Sequence, residues 1–148
     1  MKNFIISLIV MVAVIGGFYT VMSIDHVEQG EVGVVWTAKE GVQDEVLTPG
    51  WHFISPLAKV KNYPVSQQQL VLSNNPADYN EEEHADWHVD APADGGMVSL
   101  NMTINYNFMS DRVVDLYSKF NGMDGEAIVE GMVQNSIIAY IKEVAGIV

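Results

Sequence analysis

The longest hydrophobic pattern in the chain lies at the N-terminus, where residues 3–24 contain no charged side chain. Most of these positions are Ile, Val, Leu, Met or Phe. An α-helix of that length spans about 30 Å, which matches the hydrocarbon core of a bilayer. The pattern therefore predicts a transmembrane anchor over residues 1–24.

A cleaved signal peptide is the main alternative for this segment, because it also combines a basic start with an apolar run. Its apolar core is shorter, at about 7–15 residues, and a small-x-small cleavage site follows that core. Here the small residues from Ala13 to Gly17 lie inside the apolar run, which continues to Ile24. We therefore favour an uncleaved anchor.

The charges that flank the anchor predict its orientation. Lys2 and the α-amino group precede it, whereas Asp25, Glu28 and Glu31 follow it and the next lysine is Lys39. Basic residues close to a span stay on the cytoplasmic side of the membrane. We expect a single-pass protein with its N-terminus in the cytoplasm and its main domain outside the cytoplasm.

Short extended segments separated by Gly and Pro turns follow the anchor. The predicted strands lie near residues 27–37, 42–47, 51–54 and 60–72. Gly30 and Gly33 disfavour a helix in the first segment and indicate a bulge or a close backbone approach. Pro49-Gly50 predicts a tight turn before the third strand. Pro64 requires an edge or a bulge in the fourth.

The second half of the chain begins with an acidic stretch. Residues 73–96 contain seven Asp or Glu side chains and no Lys or Arg, which predicts a solvated loop. Apolar and polar residues then alternate from Val98 to Phe108, as in one half-buried antiparallel strand.

Two helices are predicted at the C-terminal end. Ser110 is expected to cap the first, and Gly122 follows its end. The second runs from about Asp124 to Gly146. Its predicted buried face consists of Val129, Val133, Ile137, Tyr140, Ile141, Val144 and Val148. Strands followed by helices predict an α+β domain over residues 25–148, mostly of antiparallel sheet.

Composition then excludes several classes of function. The chain has 19 acidic and 7 basic residues, for a net charge of −12, whereas nucleic-acid binding requires clustered Lys and Arg. The chain contains no cysteine, which excludes disulfide scaffolds, thiol catalysis and iron–sulfur clusters. No nucleophile or phosphate-binding motif is present, so we expect no enzymatic activity and no cofactor.

One cluster in the acidic loop has metal-ligand chemistry. It contains Glu82, His84, Asp86 and His88, and its two histidines are four residues apart. The glutamate that follows the first histidine of a zincin motif is absent. We therefore interpret the segment as a hydrated acidic loop and keep an extracytoplasmic metal-binding module as an alternative hypothesis.

Several motifs of the strand region resemble the opening of an SPFH (band 7, prohibitin/stomatin) domain. They are Val27-x-x-Gly30-x-x-Gly33-Val34-Val35, Leu47-x-Pro49-Gly50-x-His52-Phe53-x-x-Pro56 and Tyr63-Pro64-Val65. Asp94-Gly95 before the alternating strand, with a helix leading into Phe120, is similar to the middle of that family. The resemblance covers about residues 24–146, and the order and spacing of the motifs make it specific.

The resemblance implies a membrane-anchored scaffold without catalysis, because such proteins assemble side by side into rings or cages and some regulate membrane proteases. Its turn motifs fall on Gly30, Gly33, Pro49, Gly50 and Pro64. The acidic loop is longer than the family's usual connection. We also expect a domain shortened at its C-terminus, without the further strand and the long coiled coil of the family.

The sequence therefore predicts a self-associating scaffold of the prohibitin/stomatin type that organises or regulates a membrane partner such as a membrane protease. Expected partners are membrane lipid and either further copies of the chain or longer SPFH proteins. The candidate oligomer contacts are Val133, Ile137, Ile141 and Val144 on the C-terminal helix. A secreted protein with a cleaved signal remains the third hypothesis.

Overall fold

A computed structural model describes residues 2–75, 77 and 88–147 of the chain. The fold is α+β, as predicted, with an apolar N-terminal helix, antiparallel strands and C-terminal helices. In chain order the elements are α1 (Lys2–Val21), β1 (Ile24–Val27), β2 (Glu31–Thr37), β3 (Gly41–Val42), β4 (Gly50–Phe53), β5 (Lys59–Pro64), β6 (Gln68–Leu72), β7 (Val89–Ala93), β8 (Gly96–Leu100), β9 (Met102–Tyr106), α2 (Val113–Lys119), α3 (Gly125–Ile128), a π-helical turn (Val129–Val133) and α4 (Gln134–Ile147).

The chain forms two compact units. The first consists of Met1–Val65 and Met109–Gly122, and the second of Ser66–Phe108 and Met123–Val148. Helix α1 belongs to the first unit, and none of its residues is buried. By length and composition it is able to cross a membrane.

Helix α1 ends earlier than the predicted boundary at residue 24. The Ser23 amide donates to the Thr20 carbonyl, and the Ser23 hydroxyl donates to the Tyr19 carbonyl. These bonds close the last turn of the helix, and β1 begins at Ile24. The apolar pattern runs across this junction because Ile24 is apolar in the strand as well.

The first unit contains a two-stranded ribbon, β1–β4, and a three-stranded sheet in the order β3–β2–β5. The predicted strand over residues 27–37 is in fact two strands, since Gly30 adopts a φ of 90° in the turn between β1 and β2. Strand β2 is central to its sheet, and four consecutive residues are buried in it. The apolar core of the unit contains Val27, Val32, Val34, Val35, Tyr63 and Val113.

Gly33 lies where two backbone segments and two side chains converge. It exchanges backbone hydrogen bonds with Leu47, at 2.9 and 2.7 Å. A Cβ atom on Gly33 would lie 2.9 Å from Cγ1 of Val60 and 3.1 Å from Cγ2 of Val27. Glycine is therefore required here by close packing. The predicted strand over residues 42–47 is limited to β3, and Leu47 makes only an isolated bridge.

The predicted strand over residues 60–72 is also two strands. Pro64 is the last residue of β5, where it lies opposite Glu31, and the Val65 amide donates to the Gly30 carbonyl. Because proline lacks an amide hydrogen, its place at a strand end costs the sheet no interior ladder bond. Strand β6 resumes at Gln68 and belongs to the second unit.

In the second unit β6 pairs with β9 and β7 pairs with β8. The loop prediction for residues 73–96 is wrong for Val89–Ala93, which is strand β7. The sequence pattern did not indicate a strand here, because Pro92 and the acidic residues around the two inward residues, Val89 and Ala91, are typical of a loop. Strands β7 and β8 meet at a tight turn in which Gly95 has a φ of 87°.

The single long strand predicted over residues 98–108 is interrupted at Asn101, which separates β8 from β9. Its alternation is nevertheless observed, because the residues from Leu100 to Phe108 that pack on the core alternate with exposed polar ones. At the interruption, the Asn101 side chain donates to Oδ1 of Asn74 at 2.9 Å. Asn101 Oδ1 also accepts a bond from the Asn74 amide at 3.3 Å.

The registers of the two pairs indicate that residues 73–88 interrupt one strand. Leu72 lies opposite Met102 and Val89 lies opposite Leu100, so these two partners are only two positions apart. Leu72 and Val89 also belong to the same buried cluster. They therefore occupy consecutive inward positions, and the acidic segment between them is an insertion.

Helix α2 begins at Val113, after Arg112, and no side chain caps it. The prediction that Ser110 is the cap is wrong, because the helix starts two residues later than that prediction requires and its N-cap position is Arg112. At the other end Asn121 and Gly122 adopt φ angles of 52° and 71°, and the Gly122 amide donates to the Tyr117 carbonyl. This left-handed stop is the usual role of glycine after a helix.

We predict that Gly33→Ala destabilises the first unit by about 1–3 kcal/mol, because the new methyl group overpacks the contact with Val60 and Val27. Gly96→Ala is the matched control, since nothing lies within 4 Å of a Cβ atom at this strand position. We expect the control to be neutral or to stabilise by about 0.5–1 kcal/mol. Urea unfolding in mild detergent, followed by circular dichroism, measures both; equal effects would contradict the packing explanation.

We predict that deletion of residues 73–87 leaves the second unit folded. Joining Leu72 to His88 keeps Val89 opposite Leu100 and its side chain in the core. Deletion of residues 73–88 is the matched control, because it shifts the register by one and turns Val89 and Ala91 to the opposite face. Thermal unfolding should show a cooperative transition for the first deletion and its loss for the second. Unfolding of both would show that the segment is part of the fold.

Candidate membrane-facing and self-association surfaces

The C-terminal helix changes phase at its π-helical turn. The Gln134 amide donates to the carbonyl of Val129, five residues earlier. One extra residue in the turn rotates everything beyond it by about 100° relative to a continuous α-helix. The side chains of Asn135 and Ser136 donate to the carbonyls of Gly131 and Met132, at 2.8 and 2.9 Å.

This rotation decides which helix face is buried. Val129 is buried, and the next buried position is Gln134 instead of the predicted Val133. Ile138 and Ile141 then pack against the cluster formed by the strands of the second unit. Val133, Tyr140 and Val144 are exposed, so their prediction as buried residues is wrong, and the π-helical turn is the physical reason.

The rotation leaves a second apolar stripe on the helix, which we call the α4 stripe. Its members are Val133, Ile137, Tyr140, Val144 and Ile147. Tyr140 and Ile147 expose 67% and 80% of their surface, and Ile137 is half-buried. A shallow groove at the start of the stripe is lined by Met132, Val133, Ser136, Ile137 and Tyr140.

The sequence-derived contact candidates divide between the two faces. Val133, Ile137 and Val144 belong to the α4 stripe. Ile141 instead packs, partly buried, against the core of its own unit. Tyr140 and Ile147 also belong to the α4 stripe but are not among the sequence-derived candidates, since periodicity alone gave no sign of the extra residue in the π-helical turn.

A second exposed apolar surface lies on the β1–β4 ribbon, directly after α1; we call it the ribbon face. Its cross-strand pairs are Ile24 with Phe53 and His26 with Trp51. The ring centroids of His26 and Trp51 are 4.5 Å apart. Trp51 and Phe53 expose 75% and 71% of their surface.

The turn-motif residues shape the approach to the ribbon. Gly50 has a φ of 132°, a conformation that favours glycine, and it starts β4 directly after Pro49. A ring nitrogen of His52 hydrogen-bonds to the carbonyl of Thr48 across this turn. His52 is thus a hydrogen-bonded structural residue of the turn.

The metal-binding hypothesis concerns residues that lie mostly outside the described chain. Glu82, His84 and Asp86 are not among the described residues. His88 Nε2 lies 3.4 Å from Oδ1 of Asp90, which also accepts a hydrogen bond from the Ser99 hydroxyl at 2.9 Å. Within residues 2–75, 77 and 88–147, no group of three or more His, Cys, Asp or Glu residues is arranged to hold a metal ion.

Tyr106 is a titratable group of the second unit whose surroundings shift its pKa. Burial raises the pKa of its phenol, and the carboxylates of Glu126 and Glu130 raise the pKa further. The ring packs edge-on against Phe108, with centroids 5.9 Å apart. The start of the C-terminal helix and strand β9 are therefore coupled electrostatically within this unit.

These observations define an α+β domain that follows an apolar helix and presents exposed apolar faces. Comparison with protein-family profiles matches the SPFH domain / Band 7 family over residues 26–146. The match covers most of the chain, and the chain belongs to this family. Members of the family are generally non-enzymatic scaffolds. A search of curated protein sequences gave no match.

We predict that the domain loses stability as the pH rises above about 10, the ordinary pKa of tyrosine. Between that value and the raised pKa of Tyr106, the unfolded chain binds fewer protons than the folded chain, so a rise in pH favours unfolding. Tyr106→Phe should remove this part of the pH dependence, and Glu130→Gln should reduce it. Absorbance titration of the phenols and unfolding at several alkaline pH values measure the effect; an unchanged profile in Tyr106→Phe would contradict it.

Proposed function

We propose that the protein is a membrane-anchored scaffold that self-associates through the α4 stripe and organises a membrane partner. The observation that carries the proposal is the stripe itself, an exposed row of apolar side chains on a helix whose other apolar face is already buried. Membership in the SPFH/Band 7 family supports the scaffold class.

An apolar stripe of this kind requires a covering surface. A surface helix normally carries one apolar face toward its own core and polar residues elsewhere. Here the inward face is formed by Val129, Ile138 and Ile141, whereas the stripe adds a second apolar face. Contiguous exposed apolar surface marks a contact site in soluble domains.

A second copy of the chain is the occupant that the charges favour. No side chain within the α4 stripe is charged, so two stripes can face each other without burying an unpaired charge. The net charge of −12 opposes the approach of two copies at long range. Association should therefore strengthen as salt screens this repulsion, unlike a contact held by ion pairs.

Helix α1 supplies the membrane attachment of the proposal. It is predominantly apolar from Phe4 onward and none of its residues is buried in the domain, which agrees with lipid as its surroundings. The flanking charges support an N-terminus in the cytoplasm and a domain on the other side. The protein performs no reaction of its own in this proposal.

The scaffold acts on a partner by holding it laterally in the membrane. A membrane protease or a longer SPFH protein is the kind of partner that the family resemblance supports. No observation in the described residues favours the metal-binding module over the scaffold, and that hypothesis therefore rests on the acidic sequence alone.

We predict that Tyr140→Asp and Val144→Asp each reduce the mass of the protein in mild detergent, because a charge in the α4 stripe is costly to bury. Ala139→Asp is the matched control, since it adds the same charge at an exposed position of the same helix outside the stripe. Size exclusion with light scattering should give an oligomer for the unmodified chain and for Ala139→Asp. It should give smaller species for the two stripe variants.

The same experiment in low and high salt tests the charge argument. A larger mass at high salt supports an apolar contact that is opposed by like charges. A monomer under all conditions, or equal effects of Ala139→Asp and Tyr140→Asp, would reject self-association through the α4 stripe.

A further inference from the structure

We propose that the ribbon face lies in the interfacial layer of the bilayer that α1 enters, as a second attachment of the first unit to the membrane. The occupant is the lipid surface, contacted by Ile24, Trp51, Phe53 and Leu57, which follows the end of β4 by four residues. The inference rests on the membrane anchoring in the proposed function, and it concerns a different surface from the α4 stripe.

The ribbon face is apolar, whereas the outward face of a ribbon in water is expected to be polar. A two-sided antiparallel ribbon normally turns its apolar face to the core and its polar face to solvent. Here the outward pairs are Ile24 with Phe53 and His26 with Trp51, and Asp25 points to the other side, opposite His52. Leu57, shortly after β4, exposes 83% of its surface.

Covalent geometry keeps this face close to the membrane. Ile24 follows the end of α1 at Val21 by three residues, which span at most about 11 Å of extended chain. The interfacial layer on each side of the hydrocarbon core is about 5–8 Å thick. The first residue of the ribbon is therefore within reach of this layer when α1 spans the core.

Hydrogen bonds tie β4 to the same junction. The Ile54 amide donates to the Ser23 carbonyl at 2.8 Å, and the Ser23 amide donates to the Thr20 carbonyl at 3.1 Å. The end of β4 is thus bonded to the residue that closes the helix. Phe53, the neighbour of Ile54, is held near the helix end together with Ile24.

The residue types favour lipid over a second copy of the chain. Tryptophan prefers the interface because its ring is apolar while its indole N–H remains near polar groups, and His26 beside it has the same dual character. Glu28 is exposed directly after β1, and a symmetric contact between two copies through this end of the ribbon would bring the like charges of the two Glu28 side chains together. A lipid surface of zwitterionic headgroups has no such cost.

A second attachment changes what the anchor does. A single helix leaves the domain free to rotate about the helix axis and to tilt away from the membrane. Contact through Trp51 and Phe53 restricts both motions, which orients the first unit relative to the membrane plane.

Tryptophan fluorescence in bilayers tests the proposal with the full chain. The reporter Trp36→Phe/Trp87→Phe retains only Trp51, and the matched control Trp51→Phe/Trp87→Phe retains only Trp36, which lies in β2. Each is reconstituted at high dilution into phosphatidylcholine vesicles with or without bromine atoms on the acyl chains. Emission and its quenching by iodide are measured for both.

We expect Trp51 to lose most of its emission in brominated bilayers and to be poorly quenched by iodide, whereas Trp36 responds less to bromine. In the Trp51 reporter, Phe53→Ser/Leu57→Ser should reduce the bromine quenching, and Met97→Ser, an exposed position in β8, should not. Trp51 without bromine quenching would overturn the proposal, whether iodide reaches it or a protein contact shields it.

Failure of the proposed function is distinguishable from failure of this inference. A monomeric mass in light scattering would reject self-association and leave the bromine result unaffected. Release of the chain from vesicles by alkaline carbonate would instead show that α1 is not inserted, which would overturn both the anchoring and the attachment of the ribbon face.

Discussion

The second unit depends on one constraint, which is that the C-terminal helix must cover the inward face of two strand pairs. That face contains Leu70, Leu72 and Val89, with Leu100, Met102 and Ile104 beside them. The helix reaches it with Val129 near its start and with Ile138 and Ile141 farther along. A continuous α-helix starting from Val129 would place Val133 inward, and the π-helical turn places Gln134 there instead. The exposed α4 stripe is the consequence of satisfying this packing.

Sequence periodicity could not reveal that consequence. The helix contains enough apolar residues for two faces. A subset of them, from Val129 to Val144, is spaced as on one face of a continuous α-helix, so the sequence gives no sign of the second face. The π-helical turn, with its bond from the Gln134 amide to the Val129 carbonyl, separates the two faces. By contrast, the tight turn at Pro49-Gly50 and the glycine at position 33 were predictable, since backbone geometry and close approach restrict the residue type directly. The alternation of apolar and polar residues after Gly96 was equally predictable from the sequence, although the break between β8 and β9 at Asn101 was not.

Strand β7 shows why composition can conceal structure. Its inward residues, Val89 and Ala91, are small and few, and Asp90, Pro92 and Asp94 give the segment the character of a loop. These residues pair with β8 in a local hairpin, but the acidic insertion separates β7 from β6, the strand that precedes it. The exposed ribbon face was missed for the opposite reason: an apolar residue such as Trp51 is assigned to a core by default, and only the fold shows which side of the ribbon it occupies.

The two exposed apolar surfaces and the acidic net charge all influence the free energy of the proposed self-association. A net charge of −12 opposes the approach of two copies of the chain, and a stripe of five apolar side chains is a small contact surface. Attachment to a membrane confines the copies to a layer and raises their effective concentration without any new contact. The proposed contact of the ribbon face with lipid would remove rotational freedom that association would otherwise have to remove. In the proposed assembly, the apolar contact on α4 is therefore favoured more strongly at the membrane than in detergent.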